Sequence, residues 1–335
     1  MSMTQLVLVN RLGAMLDTAD VALIEQPMPE PSAGEFRVKV SHLTLDISMI
    51  GWMREQRSYL PNISVGDPIR AAGVGIVEDS AHPNYQPGDL VTGLFQCGTH
   101  ALSNGKVAVK LNAEVASARA WAGSFGLTTA FTSFVGLDFA PYDLNGKTVL
   151  VTGASGLVGG FAAQFAKNRG AHVIGTAGTE ESCRNVEATL NIDYCLNYNQ
   201  GESFSDTLMD VCPDRIDVFF DNVGGRIFDA GLAWMNAFGT VVMCGQTSER
   251  GRTSPTPIYN IREVIMERLT TQGFVVFDHP NQFSSAAAEI GEGIAEGTLR
   301  SPHDDICHDG GLAGFFKAYE ALVNDDLKGK HVLCL

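Results

Sequence analysis

Residues 147–160 read KTVLVTGASGLVGG. The apolar run 147–152 has β character, and it breaks into a turn carrying Gly153, Gly156 and Gly159. Leu157, Val158, Phe161, Ala162, Phe165 and Ala166 then recur at helical spacing. Strand, glycine turn and helix in that order are the context in which such spacing points to a dinucleotide. Glycine lets the backbone come close to a pyrophosphate, and a helix N-terminus offers it unpaired N–H groups. The turn nominates Gly153, Ala154, Ser155, Gly156, Leu157, Val158 and Gly159 for cofactor binding. The plainer alternative is that the glycines serve close helix–sheet contact alone.

The same alternation continues downstream. Strands are expected at 171–176, 192–197, 216–221, 240–244 and 269–277, with helices between them such as 181–190 and 228–234. Six strands alternating with helices imply a doubly wound parallel sheet, the Rossmann arrangement of an α/β protein. A further helix is expected at 283–297. Upstream the chain is β-rich. Strand signals fall at 5–10, 86–94 and 106–111, and 35–42 (EFRVKVSH) alternates apolar and polar with period two. Gly73 and Gly75 suit 68–77 to a bent strand of a small barrel. Small residues at helical spacing replace this alternation at 116–137, which marks a domain boundary. The tail from about 300 returns to short β-type pieces ending HVLCL, and is expected to rejoin the first domain. The division is thus 1–124 with 300–335, and 125–299.

A chain of 335 residues suggests about two domains, and 45% hydrophobic residues supply sizeable cores. The net charge of −15 argues against nucleic acid or an anionic membrane surface as partner, since both require a basic face. No run reaches the ~18 apolar residues of a spanning helix, and MSMTQLVLVNRL lacks the pattern of a secretory signal. Seven cysteines, an odd number without CxxC, suit reduced thiols in the cytoplasm.

Several segments carry a family resemblance: SYLP at 58–61, GDP at 66–68, HPNYQPGD at 82–89, FGLTTAF at 125–131, FDNVGG at 220–225, the Cys244–Gly245 pair, and QGFVVFD at 272–278. Together they resemble the medium-chain dehydrogenase/reductase superfamily. Within it they are similar to the zinc-independent branch of prostaglandin, alkenal double-bond and curcumin reductases. The resemblance implies a GroES-like N-terminal domain, completed by the tail, beside the Rossmann domain. Zinc-dependent members carry a GHE motif and a lobe of four cysteines; here Gly66, Asp67 and Pro68 stand for the first, and Cys97 is alone. Tetrahedral zinc needs clustered thiolates or imidazoles, so no metal is expected.

A carboxylate about 20 residues past the glycines would favour NAD through the ribose hydroxyls. That position is Thr176 or Ala177, inside GTAGTEES at 175–182, which leaves room for a 2′-phosphate and favours NADPH. The resemblance implies a phosphate site at Gly178, Ser182 and Tyr198, but the family's lysines are replaced by Ser182 and Asn199; Arg184 stands close by. By position it also implies that Asn222, Gly224, Cys244, Gly245 and the backbone of Phe274, Val275 and Val276 line the cofactor. A family asparagine near the C-terminus is Leu327 here.

Without zinc, alcohol-type chemistry loses its Lewis acid. Hydride transfer to the β-carbon of an enone or enal needs only a donor for the enolate oxygen and a proton for the α-carbon. The expected activity is therefore NADPH-dependent reduction of an α,β-unsaturated ketone or aldehyde by a cytoplasmic homodimer. Two tyrosines of the family are missing, replaced by Ser48 and Met266. Tyr59 is the first candidate donor, and Tyr259 the second. Met49, Ile50, Trp52 and Met53 read as packing or pocket wall. The lost tyrosines keep two alternatives open: a quinone reductase, and a nicotinamide-binding protein whose catalysis has decayed.

Overall fold

In the computed structural model, which describes residues 1–13, 16–199, 204–250, 252–324 and 329–335, β1 (Ser2–Leu8) and β2 (Val21–Pro27) form a two-stranded antiparallel sheet. The period-two run becomes β3 (Phe36–Thr44), which buries Phe36, Val38 and Val40. Side chains two apart share a face, so one register covers all three. β4 (Arg70–Ser80) and β5 (Leu90–Gln96) extend this sheet; β6 (His100–Ser103) pairs with β3, and β7 (Ala108–Lys110) with β5. The expected bend is present. The β3–β4 register slips at Arg37/Val38 and again at Val40/His42. A Cβ on Gly75 would lie 2.3 Å from the Lys39 carbonyl oxygen, an approach only glycine admits. Between β3 and β4 the short helix α1 (Ser48–Met53) buries Met49, Trp52 and Met53.

Residues 1–128, 280–291 and 303–335 form one compact unit, and 129–279 with 292–302 form a second. α2 (Ala118–Ala122) belongs to the first and α3 (Ala130–Leu137) opens the second. There follow β8 (Thr148–Val151), α4 (Leu157–Asn168), β9 (His172–Ala177), α5 (Glu180–Leu190), β10 (Tyr194–Asn197), α6 (Phe204–Val211) and β11 (Ile216–Asp221). α7 (Gly225–Ala233), β12 (Met235–Met243), α8 (Glu263–Met266) and β13 (Thr270–Gly273) complete the alternation. All five strand pairings are parallel, in the order β10-β9-β8-β11-β12-β13. Connections therefore run outward in both directions from the β8–β11 junction, where a doubly wound sheet binds its ligand. Leu150, Ile174, Leu196, Phe219 and Val241, one from each of five strands, pack with Leu208, Phe228 and Leu232 of α6 and α7. Burying each such side chain contributes roughly 1.5–3 kcal/mol.

Two expectations need correction. The sixth strand does not reach 277: β13 ends at Gly273, opposite Met243, where β12, its one partner among the described residues, also ends. Phe274 and Val275 lie beyond it, and Val276–Asp278 is a 3-10 turn. The tail is not all β. After α9 (Phe283–Glu296) and β14 (Ile306–His308) comes α10 (Phe315–Asn324), whose buried Phe315, Ala318, Tyr319 and Leu322 recur at helical period. The last strand, β15 (His331–Cys334), pairs with β3, so the tail rejoins the first sheet, ordered β14-β15-β3-β4-β5-β7. No helix among the described residues is long and apolar enough to cross a membrane.

Candidate active site

The ends of β8, β11 and β12 are laced together by one buried carboxylate. Thr152 follows β8, is fully buried, and donates its hydroxyl to Asp221 Oδ1 at 2.6 Å. Asp221 ends β11 and accepts the N–H groups of Val223 (3.2 Å) and Gly224 (2.9 Å). Its carbonyl accepts Cys244 N–H at 2.8 Å and Gly245 N–H at 3.2 Å. Asn222 donates its backbone N–H to Thr152 Oγ1 and its side-chain amide to the Thr152 carbonyl, both at 2.9 Å. Burial pushes the Asp221 carboxyl above its ordinary range, against the pull of Thr152 and the two N–H groups. Burial likewise pushes the Cys244 thiol up to about 12, with Asp221 adding to the effect, so this cysteine is no nucleophile. A Cβ on Gly245 would lie 3.0 Å from the Asn222 carbonyl oxygen. The FDNVGG turn and the Cys244–Gly245 pair are thereby held against the glycine turn.

That turn has the geometry of an anion cradle. Gly153 takes φ +65°, the left-handed region that glycine adopts without strain. A Cβ on Gly159 would sit 2.2 Å from the Gly153 carbonyl oxygen, so the first turn of α4 lies against the loop. Gly156 caps α4 and contributes no side-chain cap. The N-terminal N–H groups and the positive end of the helix dipole are thus left for a ligand. Gly153, Ser155, Gly156, Leu157 and Val158 are partly exposed, whereas Ala154 and Gly159 are buried. These residues fit a pyrophosphate.

Thr176 has a different task from contacting a ribose. It is fully buried, accepts Gly153 N–H on its hydroxyl at 3.2 Å, and its carbonyl accepts Ala154 N–H at 2.9 Å. It pins the glycine turn to β9. The exposed positions lie just beyond. A Cβ on Gly178 would come within 2.9 Å of the Tyr198 hydroxyl, so the missing side chain brings phenol and backbone together. Ser182 sits in the first turn of α5, its N–H donated to the Thr179 hydroxyl at 3.1 Å. Arg184 is largely exposed and 4.0 Å from Glu180, a surface pair easily released. Asn199 donates its side-chain amide to the Gly178 carbonyl at 2.9 Å. Arg226 at the start of α7 donates to the Tyr198 carbonyl and to Asn199 Oδ1, each at 3.0 Å. Phe274 is half buried against Phe139, with ring centroids 5.6 Å apart, and Val276 is buried. Leu327 lies outside the described residues.

In the first unit, Tyr59 is 51% exposed, and its ring meets Trp52 edge-on at 6.1 Å. Burial pushes this phenol above its usual range, and the Asp46 carboxylate adds to the rise, while the neighbouring Ser48 and Trp52 side chains oppose it. Tyr59 therefore stays protonated and able to donate. Ser48 donates its hydroxyl to Asp46 Oδ1 at 2.9 Å and its backbone N–H to the same oxygen at 3.1 Å, an Asx-type turn that opens α1. Lys330 Nζ donates to Asp46 Oδ2 at 2.7 Å. Tyr259 is 81% exposed, and among the described residues nothing holds its hydroxyl.

Comparison with known proteins now bears on both units. The family described as "N-terminal domain of oxidoreductase" matches residues 4–111, and that described as "Zinc-binding dehydrogenase" matches 158–292. An NADPH-dependent curcumin reductase of Escherichia coli is 31% identical over 82% of this chain and 81% of its own. A 2-alkenal reductase (NADP(+)-dependent) of Nicotiana tabacum is 31% identical over 76% and 75%. The crystal structure of CurA from Vibrio vulnificus in complex with NADPH is 28% identical and superposes with a TM-score of 0.78, covering 99% of this chain and 98% of that one. The chain belongs to the zinc-independent branch of the medium-chain dehydrogenase/reductase superfamily.

Its fold is that of the superfamily, a GroES-like unit and a Rossmann unit. One of the matching families is named for zinc, yet among the described residues no three His, Cys, Asp or Glu side chains gather as a metal-holding group. Sequence reasoning missed Thr152, Arg226, Asp46 and Lys330. Asp46 and Lys330 lie 284 positions apart, so no local spacing links them. The one available signal was the aspartate quoted within FDNVGG, a charged residue ending an otherwise apolar strand.

Proposed function

We propose that this protein is an NADPH-dependent ene-reductase that reduces the C=C bond of a small hydrophobic α,β-unsaturated ketone or aldehyde. NADPH would be held by the turn from Gly153 to Val158, by Asn222, Gly224 and Gly245, and by the 2′-phosphate group of residues Gly178, Ser182, Tyr198 and Arg226. Bound there, it supplies the hydride that adds to the β-carbon of the substrate. The chain's own part is then to hold the carbonyl oxygen and protonate the α-carbon. Tyr59 carries that assignment: it is half exposed, held edge-on against the Trp52 ring, and kept protonated by burial. A positioned general acid of this kind is worth on the order of 10²–10⁴ in rate. A quinone takes its protons on oxygen and needs no such donor, so a held tyrosine favours the alkene. A decayed binding protein would have no reason to keep it.

The test follows NADPH and NADH absorbance with enals, enones and quinones in parallel. Enone or enal reduction preferring NADPH is expected; NADPH binding without turnover of any of them would leave only the decayed binder. Tyr59→Phe is expected to lower kcat by about 10²-fold. Unchanged turnover across pH would remove the tyrosine from the mechanism.

The same reading makes the protein a homodimer in the cytoplasm, a compartment that suits its seven free cysteines. The support for pairing is the edge strand β13, which is largely exposed. Beside it lie the exposed apolar residues Ile265 and Met266 of α8 and Phe238, whose N–H is bonded to the Glu267 carbonyl. Light scattering should give a dimer, and Phe238→Asp with Ile265→Asp should give a monomer. A wild-type monomer would defeat this part of the reading.

A further inference from the structure

The segment HPNYQPGD at 82–89 takes no part in the cofactor loops or in the group around Tyr59. In the structure its His82 and Tyr85 line an open groove of about 660 Å³, together with residues between Asn104 and Asn112 and with Ser284, Ala287 and Ala288 of α9. All of these belong to the first compact unit. The volume is that of a small-molecule site, for which roughly 300–1,000 Å³ is usual. Ser284, Ala287 and Ala288 stand at i, i+3 and i+4, so one helix face presents three small side chains and leaves width beside it.

The polar atoms of the groove are donors. His82 Nδ1 accepts the Asn84 N–H at 3.1 Å, which leaves the proton of the neutral ring on Nε2. Among the described residues nothing accepts that proton. Gly105 keeps it uncovered: its φ is +73°, and a Cβ there would lie 3.0 Å from His82 Nε2. Asn104 and Lys106 flank this glycine. Asn104 Oδ1 accepts the Lys106 N–H at 3.1 Å, and Asn112 Oδ1 accepts the Glu114 N–H at 2.9 Å, so both side chains keep their NH2 groups to give. Tyr85 is a fixed wall, its ring stacked on Phe36 at 4.2 Å and its hydroxyl donated to the Ala108 carbonyl at 2.9 Å. Lys110 Nζ is neutralised by Asp89 Oδ2 at 2.7 Å. The Lys106 ammonium has no carboxylate partner among the described residues. In a chain with 38 acidic and 23 basic residues, none of the described residues lining this groove is acidic.

We propose that the groove is a binding site for a small organic carboxylate. Its carboxylate is met by the Lys106 ammonium, the His82 Nε2–H and the Asn104 amide, and its apolar body lies against Val109, Ala287 and Ala288. One uncompensated ammonium matches one negative charge, which favours a carboxylate over a phosphate dianion. The site is independent of the reductase reading.

The test titrates the full-length 15N-labelled protein, with and without NADPH, with benzoate and hexanoate, and with benzamide as the uncharged control. Amides of His82, Gly105, Lys106 and 284–288 should shift and saturate, with a dissociation constant of about 1 mM or tighter. The same shifts are expected with NADPH present. Benzamide should bind about twofold to fivefold more weakly, the size of one exposed charge contact, and Lys106→Glu should weaken benzoate about tenfold. Ala288→Trp, on the exposed side of α9, should fill the groove and abolish the shifts while the melting temperature and NADPH affinity are kept. Shifts confined to 153–158, no saturation with either acid, or benzoate binding unchanged in both Lys106→Glu and Ala288→Trp overturns the site.

Discussion

Replacing Thr152 by valine tests the lacing that holds the cofactor loops. The side chain is fully buried, and valine keeps its shape while exchanging the hydroxyl for a methyl. Two bonds are lost: the 2.6 Å donation to Asp221 and the 2.9 Å acceptance from Asn222 N–H. A hydrogen bond to a charged group contributes about 1.5–3 kcal/mol, and a buried N–H left without an acceptor costs about 1–3 kcal/mol. The added methyl returns roughly 0.8 kcal/mol of apolar burial. The net loss is about 2–5 kcal/mol, and it is local, because Asp221 keeps the Val223 and Gly224 N–H groups. Hydrogen exchange read by mass spectrometry reports it directly. At about 1.4 kcal/mol per decade, amides at 222–224 should exchange at least about 30-fold faster than in wild type, while those of β1 and β2 keep their rates. Thr189→Val is the control, since that hydroxyl only donates to the Asn185 carbonyl on an exposed helix face. Exchange at 222–224 within about threefold of wild type would refute the argument that the Thr152–Asp221–Asn222 bonds hold this turn.

Gly159→Ala places a Cβ 2.2 Å from the Gly153 carbonyl oxygen, so α4 must shift; a loss of about 1–3 kcal/mol in chemical denaturation, with weakened NADPH binding, is expected, and an unchanged melting curve would count against the close approach. Arg226→Ala should weaken NADPH about twofold to fivefold, the size of one exposed charge contact, and leave NADH nearly unchanged by fluorescence titration; equal losses for both would remove Arg226 from the 2′-phosphate site. For Asp46, burial pushes the carboxyl up, but Lys330 and the Ser48 donors outweigh it and hold it low. Such a group adds stability that is present above the ordinary value of about 4 and is lost as pH falls through the lower folded value. Removing the ammonium with Lys330→Met lets burial win, so the destabilisation should be largest near neutral pH and shrink on acidification, as measured by denaturation at a series of pH values.

What could be read in advance follows from how local each cause is. The strand–turn–helix at 147–160 is a contiguous pattern, and its glycine spacing reflects contacts made within a few residues: Gly159 against Gly153, and Gly156 capping α4. β11, IDVFFD, was legible to the residue because both faces of a central strand are covered and its sequence is one apolar run. The sixth strand was overextended for the converse reason. Its length is set by β12, which the apolar run QGFVVFD does not encode, so Phe274 to Val276 kept a strand-like composition after their pairing had ended. α10 is absent from the sequence reading, which gave the whole tail to short β-type pieces, although its four buried positions stand at helical spacing.

Thr176 shows why position within a motif falls short of a role. At the end of the second strand, Thr176 or Ala177 is the position where a carboxylate would meet the ribose, and its absence there favours NADPH. In the fold this side chain never reaches the surface: its hydroxyl and carbonyl secure Gly153 and Ala154. Lacking a carboxylate still matters, because an aspartate at 176 would bury a charge beneath the turn and lose the hydroxyl that accepts Gly153 N–H. The proposed 2′-phosphate group is accordingly the next, exposed layer, where Gly178 admits the Tyr198 hydroxyl and Arg226 is tied to Tyr198 and Asn199. A guanidinium fixed by two hydrogen bonds loses less freedom on binding phosphate than a free lysine does. On the proposed reading the charge that meets the 2′-phosphate stands at the start of α7, with Asn199 as the bracket of Arg226.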